Sequence, residues 1–225
     1  MPGNNKKMVL CINGEKYEVG KDISLDEILN SFDYAILANG KSISRKSNIE
    51  GSENVLSAID FLKLSHNTEF INTLPNDFVL YGLGNVSIDI AIFLKSLNKN
   101  VEIYYHKPRE LSRLSHHDIK KIDEYNLNVI FDTRIVKVEN DTLCFENKGE
   151  IYKKNNVYPI FAIGQLIDYS FLDGSSVNSD FTDFKSIYTK IDNLYIAGDL
   201  CSSRADISTG IKTAFDITND ILSKN

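Results

Sequence analysis

Residues 77–109 read DFVLYGLGNVSIDIAIFLKSLNKNVEIYYHKPR. Phe78-Val79-Leu80-Tyr81 is a short apolar run of strand formers. Gly82-Leu83-Gly84-Asn85-Val86-Ser87 follows at once, a G-x-G-x-x-S pattern with serine in the third small position. Val86, Ile90, Phe93, Leu94 and Leu97 then fall on one face of a helix. Asn98-Lys99-Asn100 ends that helix, and Val101 to Tyr105 forms a second strand. Strand, glycine turn, helix and strand in this order make a dinucleotide-binding βαβ unit.

Each small residue has a physical task. Gly82 permits a tight turn out of the strand, where a Cβ could clash. Gly84 lets the backbone approach a pyrophosphate, and Ser87 lets the helix pack close to the strand. The helix N-terminus offers free N–H groups and partial positive charge to phosphates. A glycine turn in an α/β protein that binds nothing is the alternative reading. The second strand bears on which nucleotide. An NAD site ends this strand with an acid for the ribose 2′-OH. Here it ends Tyr105-His106-Lys107-Pro108-Arg109, with no acid before Glu110. That basic cluster suits the 2′-phosphate of NADP; a solvated basic turn is the other reading.

GLGNVSIDIA followed by YYHKPREL resembles the pyridine-nucleotide domain of the glutamate synthase small subunit and related NADPH:flavin oxidoreductases of the pyridine nucleotide-disulfide type. Three further segments agree, in the family's order. Asn54 to Leu62 resembles the stretch leading into that domain. Phe161-Ala162-Ile163-Gly164-Gln165 resembles the strand and glycine leading out. Leu194 to Asp199 resembles the late flavin-binding motif. The likeness runs from about Tyr17 to the C-terminus. It implies hydride transfer from NADPH to the N5 position of FAD, and on to an acceptor elsewhere. The candidate cofactor contacts are Gly82, Leu83, Gly84, Asn85, Val86, His106, Lys107, Arg109 and Gly164 for NADP(H), and Gly40, Gly198, Asp199 and Ile207 for FAD. The resemblance places Gly40 at a strand end close to FAD, although Gly40 is also simply a turn residue. It has Asp199 bond the ribityl or phosphate side, and it aims the last helix at the isoalloxazine, with Asp206-Ile207-Ser208-Thr209 capping that helix.

The resemblance breaks at the front. Family members open with a second G-x-G-x-x-G for the FAD pyrophosphate and an acid for its ribose. Gly3, Gly14, Gly20 and Gly40 are spaced too widely for such a loop. A sheet lacking that βαβ unit leaves an open edge and an uncovered apolar face. Three explanations stay open: a fragment or degenerate copy, one subunit of a split enzyme whose partner chain supplies the FAD-binding half, or a stand-alone NADPH-binding protein that lost flavin. A non-enzymatic nucleotide sensor or assembly subunit is the rival function, and a homo-oligomer is compatible with either.

The expected fold is α/β: a Rossmann-like three-layer NAD(P)-binding domain at 73–165 and an incomplete FAD-binding-like domain. The latter is assembled from 1–72, which includes the connection, and from 166–225, which includes the return connection. Around the central unit, Ser24 caps a short helix from Leu25, with Glu27 in the capping-box position. Tyr34 to Ala38 is a strand, Val55 to Leu64 a helical patch, and His116 to Tyr125 a helix. Leu127–Phe131, Ile135–Glu139, Thr142–Phe145 and Ile151–Lys153 read as strands closing an antiparallel meander, and Val157–Ile163 as the exit strand. Ile207, Ile211, Ala214, Phe215, Ile221 and Leu222 line one face of the last helix.

Composition narrows the classes. The chain has 225 residues, 42% hydrophobic and 25% charged, as in ordinary globular proteins. A net charge of −6 and the lack of any long basic run argue against nucleic-acid binding. No apolar stretch is long enough to span a membrane, and no signal sequence is evident, so a cytoplasmic location is expected. Cys11, Cys144 and Cys201 form no C-x-x-C, which removes a redox dithiol, and neither they nor the four histidines suggest a metal site. No residue is assigned a catalytic role, because hydride transfer is cofactor chemistry.

Overall fold

The computed structural model describes residues 8–12, 15–19, 24–112, 114–173, 175–202 and 207–224. In chain order these form β1 (Met8–Ile12), β2 (Glu15–Val19), α1 (Leu25–Ser31), β3 (Ala35–Leu37), β4 (Ile43–Ser44) and β5 (Leu56–Ser57). Next come α2 (Ala58–Leu64), α3 (Thr68–Thr73), β6 (Asp77–Tyr81), α4 (Asn85–Ser96), β7 (Asn100–Tyr104), α5 (His116–Glu124) and β8 (Asn128–Ile130). β9 (Thr133–Glu139), β10 (Thr142–Asn147), β11 (Glu150–Lys154), β12 (Tyr158–Phe161), β13 (Gln165–Leu166), β14 (Leu194–Ile196) and α6 (Ile207–Lys224) complete the chain. The fold is α/β, and the contacts divide it into two units: Ile43–Leu166, and Met1–Ser42 with Ile167–Asn225.

In the unit Ile43–Leu166, five parallel strands are ordered β5-β12-β6-β7-β8. Strand β6 shows why two layers cover this sheet. Its side chains alternate: Phe78 and Leu80 join the core under the helices, while Val79 packs against the three-stranded antiparallel sheet β11-β10-β9. Helix α4 buries Ile88, Ile90, Ala91 and Leu94 on the helical side. On the other face Tyr104 stacks on Phe145 at 4.3 Å, and Phe145 on Tyr152 at 5.2 Å. Burial and then the Glu102 carboxylate beside it push the Tyr104 phenol up.

Two expectations change here. Residues 43–72 are not a connection in the first segment but part of the central unit. β5 pairs with β12 at the sheet edge, and Phe61 of α2 is fully buried with Phe70 and Phe93 edge-on to it at 6.0 and 6.3 Å. The unit therefore begins at Ile43 rather than at residue 73. Residues 128–130 do not belong to the meander. They pair with β7 as the fifth parallel strand, because Val129 packs into the helix-side core.

The second unit holds the parallel pair β3 and β14 and the antiparallel hairpin of β1 with β2. Ser24 caps α1 as expected, accepting from the Glu27 N–H at 3.2 Å. Leu194 and Ile196 pack with Leu25, Ala35, Phe181 and Leu200 on one face. Tyr195 and Ala197 pack against Ile217 of α6 on the other. The Tyr195 hydroxyl donates to Asp220 at 2.5 Å and accepts from Lys224 at 2.9 Å. Lys224, then Tyr195, hold the Asp220 carboxyl below its usual range.

The face of α6 differs from expectation. Its buried positions are Thr213 and Ile217, whereas Ile207 (83%), Ile211, Phe215 (66%) and Leu222 (67%) are exposed. The helix has two apolar faces, and one is uncovered. Lys212, Asp216 and Asp220 line the other side, toward Tyr188, which bridges the far edge of β14 from β3. The opposite edge of β14 is taken by β3. That strand pairs only with β14 among the described residues, and its Ile36 is half exposed on the same face as Tyr195. No helix among the described residues is long and apolar enough to cross a membrane.

The aromatic stack that fixes the meander to the sheet gives a stability test. Phe145→Ala removes a fully buried ring from between two others. It should lower the unfolding free energy by about 3–5 kcal/mol in urea titrations followed by circular dichroism.

Candidate nucleotide-binding site

The turn after β6 is built by two glycines with opposite constraints. Gly82 has φ +113°, and a Cβ there would lie 2.3 Å from the Ala162 carbonyl oxygen at the end of β12. Its N–H donates to Tyr104 O at 2.9 Å, and the Ala162 N–H donates to Tyr81 O at 2.8 Å. Gly82 is thus glycine because neighbouring strand ends close over it. Gly84 is extended, with φ −172°, and a Cβ there would meet nothing within 4 Å. Open space lies in front of this backbone, directly before α4. The first bond of that helix, Ile88 N–H to Gly84 O at 3.0 Å, leaves the Asn85, Val86 and Ser87 N–H groups at its mouth, and Gly84 supplies no side-chain cap. Ser87 is 1% exposed and its Oγ is a buried polar atom without a partner. This donor set fits the pyrophosphate of a pyridine nucleotide.

The side chains of the other turn residues face elsewhere. Leu83 and Val86 pack into the core, so they offer only backbone. Asn85 turns its side-chain amide to the Asp118 carboxylate of α5; because a carboxylate only accepts, the amide is assigned with its nitrogen on that side, donating to Oδ1 at 2.8 Å and Oδ2 at 3.2 Å. Asp118 was not legible as a site residue from its place in the sequence, where it reads only as a helix-start acid.

At the end of β7, His106, Lys107 and Arg109 are exposed together. Their loop is fixed by backbone bonds: Tyr105 N–H to Ile130 O at 2.9 Å, Thr133 N–H to Tyr105 O at 3.1 Å and Asp132 N–H to Lys107 O at 3.2 Å. Partial burial, then the Lys107 ammonium, push the His106 imidazole below its ordinary 6.5. Arg109 also lines a mixed cleft of about 250 Å³ with Leu114, Ile122, Asp123, Asn128 and Phe131. The one acid in this strand, Glu102, is committed to the meander face by Tyr104 (2.9 Å) and Lys154. Gly164 has φ +107° beyond β12, and its carbonyl accepts from the Arg45 N–H at 3.0 Å.

In the other unit, Gly40 (φ +66°) and Gly198 (φ +63°) both stand in open space at the carboxyl ends of β3 and β14. The Ala197 N–H donates to Leu37 O at 2.9 Å, so the two strand ends are adjacent. Gly198 donates its N–H to Thr213 of α6 at 3.0 Å, a tie the sequence did not announce. Lys41 reaches Ser202 O at 2.9 Å, and Asp199 is half-buried. Ile207 begins α6; Asp206, expected to cap it, lies outside the described residues. These two glycine corners leave open backbone at adjacent strand ends. A pyrophosphate turn leading into a helix is not found among the described residues of this unit. No group of His, Cys, Asp or Glu among the described residues could hold a metal ion, and Cys144 and Cys201 are free thiols.

The family model for pyridine nucleotide-disulphide oxidoreductase matches residues 4–215. No curated protein matches the chain significantly. Among solved structures, thioredoxin reductase from T. acidophilum is similar at 19% identity and TM-score 0.63, covering 84% of this chain and 66% of that one. Bacillithiol disulfide reductase from Staphylococcus aureus is similar at 21% identity and TM-score 0.61, covering 85% and 63%. A pyridine nucleotide-disulfide family oxidoreductase from Enterococcus faecalis V583 is similar at 16% and 0.56, covering 97% and 53%. The chain spans about half to two thirds of the length of these structures, and likeness at such identity speaks to the fold.

The two glycines separate folding from binding. Gly82→Ala should destabilise the unit outright, through a backbone clash and a strained φ. Gly84→Val should leave the circular dichroism spectrum intact and abolish nucleotide binding in calorimetric titration, because its side chain fills the approach to the helix mouth.

Proposed function

This chain belongs to the pyridine nucleotide-disulphide oxidoreductase family, and from that premise we propose that it is the NADPH-binding component of a flavin-dependent oxidoreductase. The observation that carries the reading is the open space at Gly84 before the uncapped mouth of α4, with exposed Lys107 and Arg109 at the end of the next strand. The Asn85, Val86 and Ser87 N–H groups would donate to the pyrophosphate. Lys107 and Arg109 would grip a 2′-phosphate, which Arg109 can meet with two donors. With Glu102 held on the opposite face, nothing at this strand end recommends a bare ribose. A bound flavin would supply the hydride acceptor; the Gly40 and Gly198 backbones and Asp199 would hold its ribityl side, and the positive end of α6 would favour negative charge there.

The uncovered α6 stripe and the open edge of β3 support a reading in which a partner segment, carrying the FAD pyrophosphate turn, completes the flavin half. The resemblance to the glutamate synthase small subunit favours electron delivery to an acceptor on another domain or chain, and the sequence offers no C-x-x-C for an internal dithiol. The missing pyrophosphate turn also favours a second reading, a nucleotide-binding or assembly subunit without flavin.

Titration at low salt tests the nucleotide assignment. NADPH should bind at least about tenfold tighter than NADH, the scale of one charge-assisted contact. Neutralising Lys107 and Arg109 together should remove that preference and leave NADH nearly unchanged. Because partial burial, then Lys107, lower the His106 pKa in the free protein, its ring should add to NADPH binding only toward acid pH. Equal affinities for the two nucleotides would sink the assignment.

The flavin question has its own measurement. The purified chain alone should carry little FAD by absorbance, since its sequence offers no second G-x-G-x-x-G turn to bring a helix terminus to the FAD pyrophosphate. Stoichiometric yellow protein, bleached by NADPH, would refute the need for a partner segment.

A further inference from the structure

Two stretches far apart in sequence would form the nucleotide site: the turn 82–86 and the loop 105–112. Asp118 touches the first and holds Ser115, where the chain leaves the second for α5. Its carboxylate is 6% exposed, in the first turn of α5. Oδ2 accepts from the Ser115 N–H at 2.8 Å and from Ser115 Oγ at 2.7 Å, which closes the loop onto the helix. The same carboxylate takes both bonds from Asn85, the first residue of α4. One turn further along, Lys121 meets Asp89 at 2.8 Å, so the two helices are tied twice. The near end of the loop is fixed separately, by the backbone of Ile130, Asp132 and Thr133.

We propose that Asp118 is a positioning residue for nucleotide choice: by bonding Asn85 and Ser115 at once, it sets where the basic loop stands relative to the phosphate turn. The inference rests on the NADPH reading of this site. A buried carboxylate deprived of a donor is costly, so the contact resists loosening. Arg109 sits between the two anchors and depends on both. NADH has no 2′-phosphate and does not engage the loop, so slack in the loop should be felt by NADPH alone.

Asp118→Asn tests this: the amide keeps the size of the side chain and can still cap α5 through its oxygen, but it cannot accept from Asn85 and Ser115 with both of its polar atoms. Two measurements are made on the full chain: hydrogen exchange over residues 105–115 without nucleotide, and titration with NADPH and NADH. Exchange should quicken, and the NADPH Kd should rise about tenfold while that for NADH stays within about twofold. Unchanged exchange, or a parallel rise for both nucleotides, overturns the proposal. If the unmodified protein binds both nucleotides equally, the 2′-phosphate reading fails and takes the specificity role with it, even where exchange still quickens.

Discussion

Gly82 and Ala162 stand where they do only because Gly82 has no side chain. A single Cβ would come within 2.3 Å of a carbonyl oxygen that has no freedom to move. This approach lets β12 run beside β6 to its end, so that the Ala162 N–H still finds Tyr81 O. It also turns the chain sharply enough for α4 to start over the same sheet that β6 has just left. The Gly84 opening and the helix mouth inherit their positions from that contact. So does Tyr104, whose carbonyl receives the Gly82 N–H from the opposite side.

The central unit then divides its labour by face. The helical side is packed with aliphatic groups, while the meander side carries the aromatic stack and the one strand acid. With Glu102 on the meander face, the charged side chains that follow β7 before Glu110 are those of Lys107 and Arg109. The other unit is built differently. A two-stranded sheet with α1 on one face and α6 on the other has few long strands to hold it, and α6 is secured largely by Tyr195, Asp220, Lys224 and Thr213.

Much of this was legible in the sequence. The βαβ stretch dictated its own form because period and turn chemistry agreed from Phe78 to Tyr104, although the fully buried Ile88 and Ala91 lay outside the α4 face read from the sequence. Ser24 and its Glu27 announced α1. What escaped was whatever depended on neighbours distant in the chain. β5 is two residues long and becomes a strand only because β12 offers it an edge. Residues 128–130 alternate like any strand, and only packing on β7 assigns them to the parallel sheet. Asp118 and Thr213 look like routine helix residues until Asn85 and Gly198 arrive beside them. On α6 the apolar residues were plain, but a wheel alone cannot tell a buried stripe from an uncovered one when a helix carries both.

The strand order has a consequence for the growing chain. β6 ends at Tyr81, yet its partner β12 begins only at Tyr158. Until that late strand is made, β6 has β7 on one side and a raw edge on the other, and the Gly82 turn has no Ala162 to lean on. Pairing over such a separation is slow to nucleate. A nascent or prematurely terminated chain ending before Tyr158 therefore exposes the apolar run Phe78-Val79-Leu80 as an unprotected edge. That places this unit among those that depend on rapid completion, or on a chaperone, to avoid pairing with another copy of itself.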